Sequence, residues 1–374
     1  MKQHDRSSQR QQRGSSQKEH AFRRGGRRER EKSAPKPYAS IPLPATVDRL
    51  MPCGHDKLQR EHLVGTLKGR IVALSSIHIS SGSIELTENI FKGQASDGEL
   101  RLAPHLSGGN ELQSTPLVIS IVRSKGEVVI PGSSLKGVLR CVVEAITPSC
   151  LSKTGAKKSE IPPGLNECRD KTRLCIACRI FGAMGYQGNL FFTDAKQTSG
   201  GTVIEKIPPL YSPETRRREY YDENRQVKGR KFYLHGQQAR GETPIEVCPP
   251  DSTFEFALHF SNLKPSEFGL VLIALGQHPM YPFKLKIGGA KPVCRGTIDI
   301  IFDALFLIND LNTRYLSYEA ENGQNQFTDK ELWNFFTSTM ELALREKFML
   351  PAQLTEIAEA LKYPDDRKCP AGNY

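Results

Sequence analysis

Four cysteines carry the clearest chemistry in the chain. Cys150, Cys168, Cys175 and Cys178 are separated by seventeen, six and two residues. The short gap of Cys175-Ile176-Ala177-Cys178 lets both sulfurs reach one ion, and two more thiolates complete a tetrahedral set. Four protein ligands leave no position for water, so such a metal would be structural. The segment from Ser152 to Asn166 is rich in Lys, Pro and Gly and needs an anchor of this kind to fold. Reduced free thiols or a redox pair are the competing readings, and Cys53 with His55 is an alternative source of ligands. Cys141 is expected in the core, with Cys53, Cys248, Cys294 and Cys369 isolated.

A second signal is Val128-Val129-Ile130-Pro131-Gly132-Ser133-Ser134-Leu135-Lys136-Gly137-Val138-Leu139-Arg140. A strand ends at Ile130, Pro131-Gly132 turns the chain, and Ser133 or Ser134 can cap the helix that follows. The first N–H groups of a helix lack intrahelical partners and carry partial positive charge. Lys136 and Arg140, four apart, share a face. The arrangement suits a phosphodiester backbone and needs no base contact; an ordinary capped helix with two solvated cations is the alternative. Gly288-Gly289 followed by Lys291 and Arg295 offers a second close approach of backbone and cations to a ligand. Between them lie Arg216 and Arg217 before Tyr220-Tyr221, and Arg230-Lys231 before Phe232-Tyr233. Cations interleaved with aromatics can hold phosphates and stack bases, or form a solvated loop and strand.

These residues need a scaffold, and the chain is long enough to build one. Its 374 residues are 38% hydrophobic and 25% charged, with a formal net charge of +11. Residues 1–32 hold eleven Lys or Arg against four acids, a net charge of +7. Residues 1–33 are expected as a disordered basic tail with weak RNA affinity, whose run Arg23-Arg24-Gly25-Gly26-Arg27-Arg28 either binds phosphates or merely solubilises the chain. Residues 34–62, rich in proline, are expected as a linker. β-rich runs recur at Gly69–Ser75, Leu117–Val122, Glu127–Ile130, Leu190–Thr193, Thr253–Phe260 and Gly296–Ile301, with helices over Ser134–Ile146 and Lys264–Leu275. Asp329–Leu361 has helical spacing split by Pro351. Strands with few helices predict an α+β sheet fold. No apolar run approaches the roughly 20 residues of a membrane span, and no apolar core marks a secretory leader. GxGxxG, phosphate-loop, GxSxG and HExxH motifs do not occur.

Ile130 to Arg140 resembles the signature turn and helix of the RAMP superfamily, the RNA-binding subunits of CRISPR effector complexes. Further segments are similar in the expected order: His78-Ile79-Ser80-Ser81-Gly82-Ser83, Cys175 to Gly182, Leu190 to Ala195, and Ile287 to Gly296. The resemblance covers roughly residues 63–302. It implies a ferredoxin-like RNA-recognition-type core with a thumb-like hairpin within Ser83–Pro116. It also implies a zinc-binding insertion at about 148–180, with a helical region over 303–374. It is most like the backbone subunit of a type III-related or type VII complex. Gly229 to His235 resembles a motif of longer zinc-containing members, with His235 expected as a satisfied structural histidine. The implied partners are a guide CRISPR RNA, a complementary target RNA, copies of itself and other effector subunits, in cytoplasmic antiviral defence without a membrane.

Related type III backbone subunits cut target RNA with an aspartate ahead of the glycine-serine turn. The matching stretch here, Gly109 to Pro116, has none. Asp97 and Glu111 are the nearby acids, so the expectation is a scaffold whose nuclease sits in a separate partner. A Mg²⁺-dependent endoribonuclease using Asp97 or Glu111, and a standalone zinc-containing RNA-binding protein, are the two rivals.

Overall fold

The computed structural model describes residues 37–92, 117–210, 218–318 and 324–369, all within one unit, Pro35–Tyr374. The basic tail, Asp97, Glu111, Arg216, Arg217 and most of the expected thumb lie outside the described residues.

The main sheet is antiparallel, and β2 (Leu63–Ala73) lies at its centre. It is flanked by β14 (Thr253–Leu263) and β16 (Thr297–Ile308). Beyond β14 come β10 (Ala195–Ser199), β6 (Glu127–Ile130) and β5 (Arg123–Ser124). The short strands β9 (Leu190–Phe192), β15 (Leu285–Lys286) and β17 (Gln324–Phe327) pair at the margins, and β7 (Gly182–Ala183) pairs with β8 (Tyr186–Gln187) apart from this sheet. Two helices belong to this sheet, α2 (Gly132–Ile146) and α4 (Pro265–Ala274). In chain order β2, α2, β10, β14, α4 and β16 form a βαββαβ unit, and the sheet order β16-β2-β14-β10 is that of a ferredoxin-like core. The expected α+β class is therefore what forms.

Alternation explains which face is covered. Leu67 and Ile71 on β2, and Phe254, Phe256, Leu258 and Phe260 on β14, are buried on one side. Lys68, Arg70, Glu255 and His259 point to the other. Helix α2 presents Leu135, Leu139, Val142 and Val143 to the core at helical spacing. Helix α4 is mostly apolar and buried, because α6 (Asp329–Arg345), which follows the short α5 (Leu311–Leu316), covers its outer side. Phe268 lies 6.0 Å and 6.2 Å, ring to ring, from Phe335 and Phe336. Pro351 opens α7 (Pro351–Ala360), as its missing N–H allows.

A second sheet holds β11 (Val203–Ile207), β13 (Thr243–Val247), β4 (Leu117–Ile121) and β3 (Ser80–Leu86), with the short helix α1 (Thr87–Lys92) after β3. It closes its own apolar core with Val293 and Ala290. The segment expected as a linker is woven into the fold instead. There β1 (Tyr38–Pro42) pairs with β12 (Gly229–Tyr233), and Ile41 is buried in the main core. Prolines hid this strand: at the margin of a two-stranded ribbon they are tolerated, so composition alone misreads it. Among the described residues no helix is long and apolar enough to cross a membrane.

Candidate functional site

The cysteine cluster is built where α2 ends and α3 (Ile176–Phe181) begins. Cys175 is the residue before α3 and Cys178 lies in its first turn, so a helical turn puts both sulfurs on one side. Cys150 follows α2, and a bridge between Leu151 and Asn166 brings the loop back towards Cys168. All four are buried, and their sulfurs lie within 4.8 Å of one another. Cys150 Sγ is 3.6 Å from Cys178 Sγ and 3.7 Å from Cys175 Sγ. A sulfur tetrahedron on metal–sulfur bonds of about 2.3 Å has edges of about 3.8 Å, so the spacing fits an ion at its centre.

The four thiols are coupled to one another through their protons. Thiol donors, Cys150 first, hold Cys168 well below the usual thiol range and bring Cys175 down to about 6. The same hydrogen bonds push Cys150 and Cys178 up. The backbone N–H of Cys175 donates to Cys168 Sγ at 3.4 Å. The cluster can hold a metal ion, which would replace the shared protons. Cys53 and His55 do not join it: Cys53 Sγ is 3.5 Å from His62 Nε2, and His55 Nε2 is 2.7 Å from the Gln187 carbonyl.

From this cluster the geometry runs into α2. Arg140 donates through Nε to Glu144 Oε1 at 2.8 Å, through Nη1 to the Gly182 carbonyl at 2.8 Å, and through Nη2 to Cys178 Sγ at 3.3 Å. Arg230 reaches the other oxygen of Glu144 at 2.8 Å and the Cys150 carbonyl at 2.9 Å. Glu144 is 1% exposed, so these two guanidinium groups neutralise a buried carboxylate. Arg295 does the same for Glu205, at 2.9 Å and 2.7 Å, and also donates to the Ala239 carbonyl at 2.8 Å. Three arginines expected at phosphates are thus held by acceptors of the chain itself. Only the Arg140–Glu144 pair, at i and i+4, carried a sequence signal.

The start of α2 differs from expectation too. Pro131 occupies the capping position, and Ser133 and Ser134 lie inside the first turn. Asp194 supplies the capping acceptor, taking the Gly132 N–H at 2.8 Å. A side chain at Gly132 would meet the Phe192 carbonyl at 2.3 Å, so the glycine lets α2 sit against β9. Ser133 stays exposed, and Lys136 lies over the Phe191 ring at 5.2 Å. Burial and the neighbouring Arg140 push the Lys136 ammonium below its ordinary value.

The glycine-rich loop folds onto the early histidine segment. Gly288 has φ +84°, and a Cβ there would lie 2.2 Å from the His78 carbonyl. That same carbonyl accepts the Gly289 N–H at 2.7 Å. The Lys291 ammonium donates to the Gly288 carbonyl, and burial lowers its pKa. Cys294 and Cys369, expected as isolated, are joined. Cys141, expected in the core, is exposed on α2. His235 is fully buried with Nδ1 2.9 Å from Thr297 Oγ1 and Nε2 3.0 Å from the Lys284 carbonyl. Burial brings its pKa down to about 4.

Two clefts flank the outer side of α2. One, of about 360 Å³, is lined by Lys136, Arg140 and Lys153; the other, of about 280 Å³, by Cys141, Lys153 and Lys231. Lys153, in the cysteine insertion, borders both. The model of the RAMP superfamily matches residues 70–275, which span α2, the cysteine cluster, β6, β9, β10, β14 and α4. The chain belongs to the RAMP superfamily. No curated protein matches it. RAMP proteins typically bind RNA and act in CRISPR-associated multi-subunit complexes. The match ends before the Gly288–Arg295 loop, whose place beside His78 comes from the fold alone.

Proposed function

We propose that this RAMP protein is a backbone subunit whose copies line up along a guide CRISPR RNA and present it to a complementary target RNA in antiviral defence. The observation that carries the reading is the flank of α2, where Lys136, Lys153 and Lys231 border two adjoining clefts. The start of α2 (Ser133, Ser134, Lys136), the Gly288-Gly289-Lys291 loop, Lys231, and Arg216 with Arg217 grip the sugar–phosphate strand. Arg140, Arg230 and Arg295 support those surfaces from inside. Such contacts ignore base identity, so sequence is read by pairing. Zinc is the ion of the four-thiolate cluster, since soft thiolates in a tetrahedral set suit it. Residues 63–302, with β1 added, form the RNA-binding core, and 303–374 a helical cap. The subunit works in the cytoplasm as a scaffold, and a separate nuclease subunit cuts.

The test is a purified complex with guide RNA and complementary target. Guide binding should give a ladder of bound copies on a native gel. Affinity should fall steeply with rising salt, as phosphate contacts require. With Mg²⁺ the target should stay intact. Cleavage at regular intervals, lost on Asp97→Ala or Glu111→Ala, would replace the scaffold with the endoribonuclease.

A further inference from the structure

We propose that the cleft of about 280 Å³ beside Cys141 seats one unstacked nucleotide of the bound RNA. The proposal rests on the RNA-binding reading and adds a base-accepting site to it.

Five elements of the chain build the cleft. The β1–β12 ribbon supplies Tyr38 and Phe232, α2 supplies Cys141, the cysteine insertion supplies Lys153, and the turn after Arg218 supplies Tyr220 and Tyr221. Its volume lies near the low end of small-molecule sites, which suits a single base with its ribose. One wall is fixed in place. Tyr38 donates its hydroxyl to Glu219 at 2.5 Å, and its ring lies 6.1 Å from that of Tyr220. The Lys231 ammonium stands 4.3 Å from the Tyr38 ring and 4.7 Å from the Tyr233 ring. A cation held over aromatic faces orients them and leaves a positive centre within the same wall.

The chemistry of such a wall selects its occupant. Aromatic faces accept any nucleobase by stacking, and ammonium groups accept its phosphate. Lys153 is exposed and borders both this cleft and the one that holds Lys136. A strand whose phosphates follow Lys136 and Lys153 therefore arrives at the aromatic wall. The buried ion pairs place the cleft against α2, because Arg230 joins β12 to Glu144 of that helix. Every base has a face to stack, so the aromatic wall itself is indifferent to base identity.

Cys141 reports on occupancy, since it lines the cleft and is exposed; burial of the sulfur pushes its thiol pKa up, so the comparison is of labelling rates with and without RNA. The experiment is alkylation of wild-type protein by N-ethylmaleimide, with and without saturating single-stranded guide RNA, read by peptide mass spectrometry; Cys141→Ser identifies the labelled peptide. RNA should slow Cys141 labelling at least roughly tenfold. Tyr221→Ala should weaken RNA binding by roughly tenfold, as the loss of one stacked base implies, and Tyr221→Phe, which keeps the ring, should lose less than Tyr221→Ala. If RNA binds but Cys141 labels at the same rate, the site is overturned and the RNA-binding reading stands. If RNA does not bind at all, that reading falls and the site with it. The labelling arm uses unaltered protein, so it decides the matter even where Tyr221→Ala fails to fold.

Discussion

Arg140 and Cys178 are joined by a hydrogen bond of 3.3 Å from guanidinium to sulfur. Through it the cysteine cluster and the helix expected to face RNA share one side chain. An N–H aimed at a thiolate orients it and tunes the charge that a metal must balance. The cluster therefore sets the position of α2's outer flank as well as that of its own loop.

Metal removal should expose this coupling. Purified protein is expected to hold one equivalent of metal per chain, and Cys175→Ser to hold less than half. An ion present at a thousandfold above its dissociation constant contributes about 4 kcal/mol to folding. Chelation should lower urea stability by an amount of that order and weaken RNA binding in parallel. Full stability and full RNA affinity in metal-free protein would refute a structural ion.

Lys136 and Arg140 share a helix face, yet their substitutions should diverge. Arg140→Ala leaves Glu144 with one fewer partner in a buried site, where losing half of such a pair costs about 3–5 kcal/mol. Lys136→Ala removes a half-buried ammonium with no carboxylate partner among the described residues, so it should barely change stability. It should weaken RNA binding and reduce the slope of log affinity against log salt by about one. Denaturation curves and RNA titrations at several salt concentrations separate the two. Equal loss of stability in both variants would contradict this division of labour.

That division marks how far the sequence could be read. The α+β class, helices α2 and α4, and the four cysteines follow from periodicity and spacing, which are local properties. The fate of Arg230 and Arg295 does not. Their partners Glu144 and Glu205 lie 86 and 90 residues away in the chain, and only the fold brings them together. The capping of α2 by Asp194, 62 residues from Gly132, is hidden for the same reason. A strand such as β1, short and flanked by proline, carries too little periodicity to stand out. Residue types announced basic chemistry, but which cations face outward is decided by buried acids far along the chain.

Lys286 should give the protein a pH-dependent stability. Its ammonium is buried with no hydrogen-bond partner among the described residues, and burial, with Lys291 nearby, brings its pKa down to about 7. An unfolded lysine titrates near 10.5. Between those values the unfolded chain holds a proton that the folded chain lacks, so stability rises with pH through this window. The slope is at most about 1.4 kcal/mol per pH unit. Below about 7 the whole penalty of burying the charge is present. Lys286→Met should remove the slope and stabilise the protein at neutral pH by about 1–4 kcal/mol. Urea titrations at pH 7 and pH 9 check it, and a variant less stable than wild type at pH 7 would count against the assignment.

Gly137 separates folding from binding. It lies within α2, next to Lys136, and is exposed; a Cβ built there meets nothing within 4 Å. Glycine inside a helix costs about 1 kcal/mol relative to alanine. On the protein alone, Gly137→Ala should therefore be stabilising by about 0.5–1 kcal/mol. A bare stretch of helix backbone is also what lets a phosphodiester strand come close. If RNA runs along this flank, the added methyl group occupies its path, and affinity should fall although stability rises. Gly288→Ala is the opposite control, because φ +84° and the nearby His78 carbonyl make it destabilising in the free protein. The decisive comparison is melting temperature against RNA affinity for Gly137→Ala. A variant that is more stable and binds RNA as tightly as wild type would move the strand away from α2.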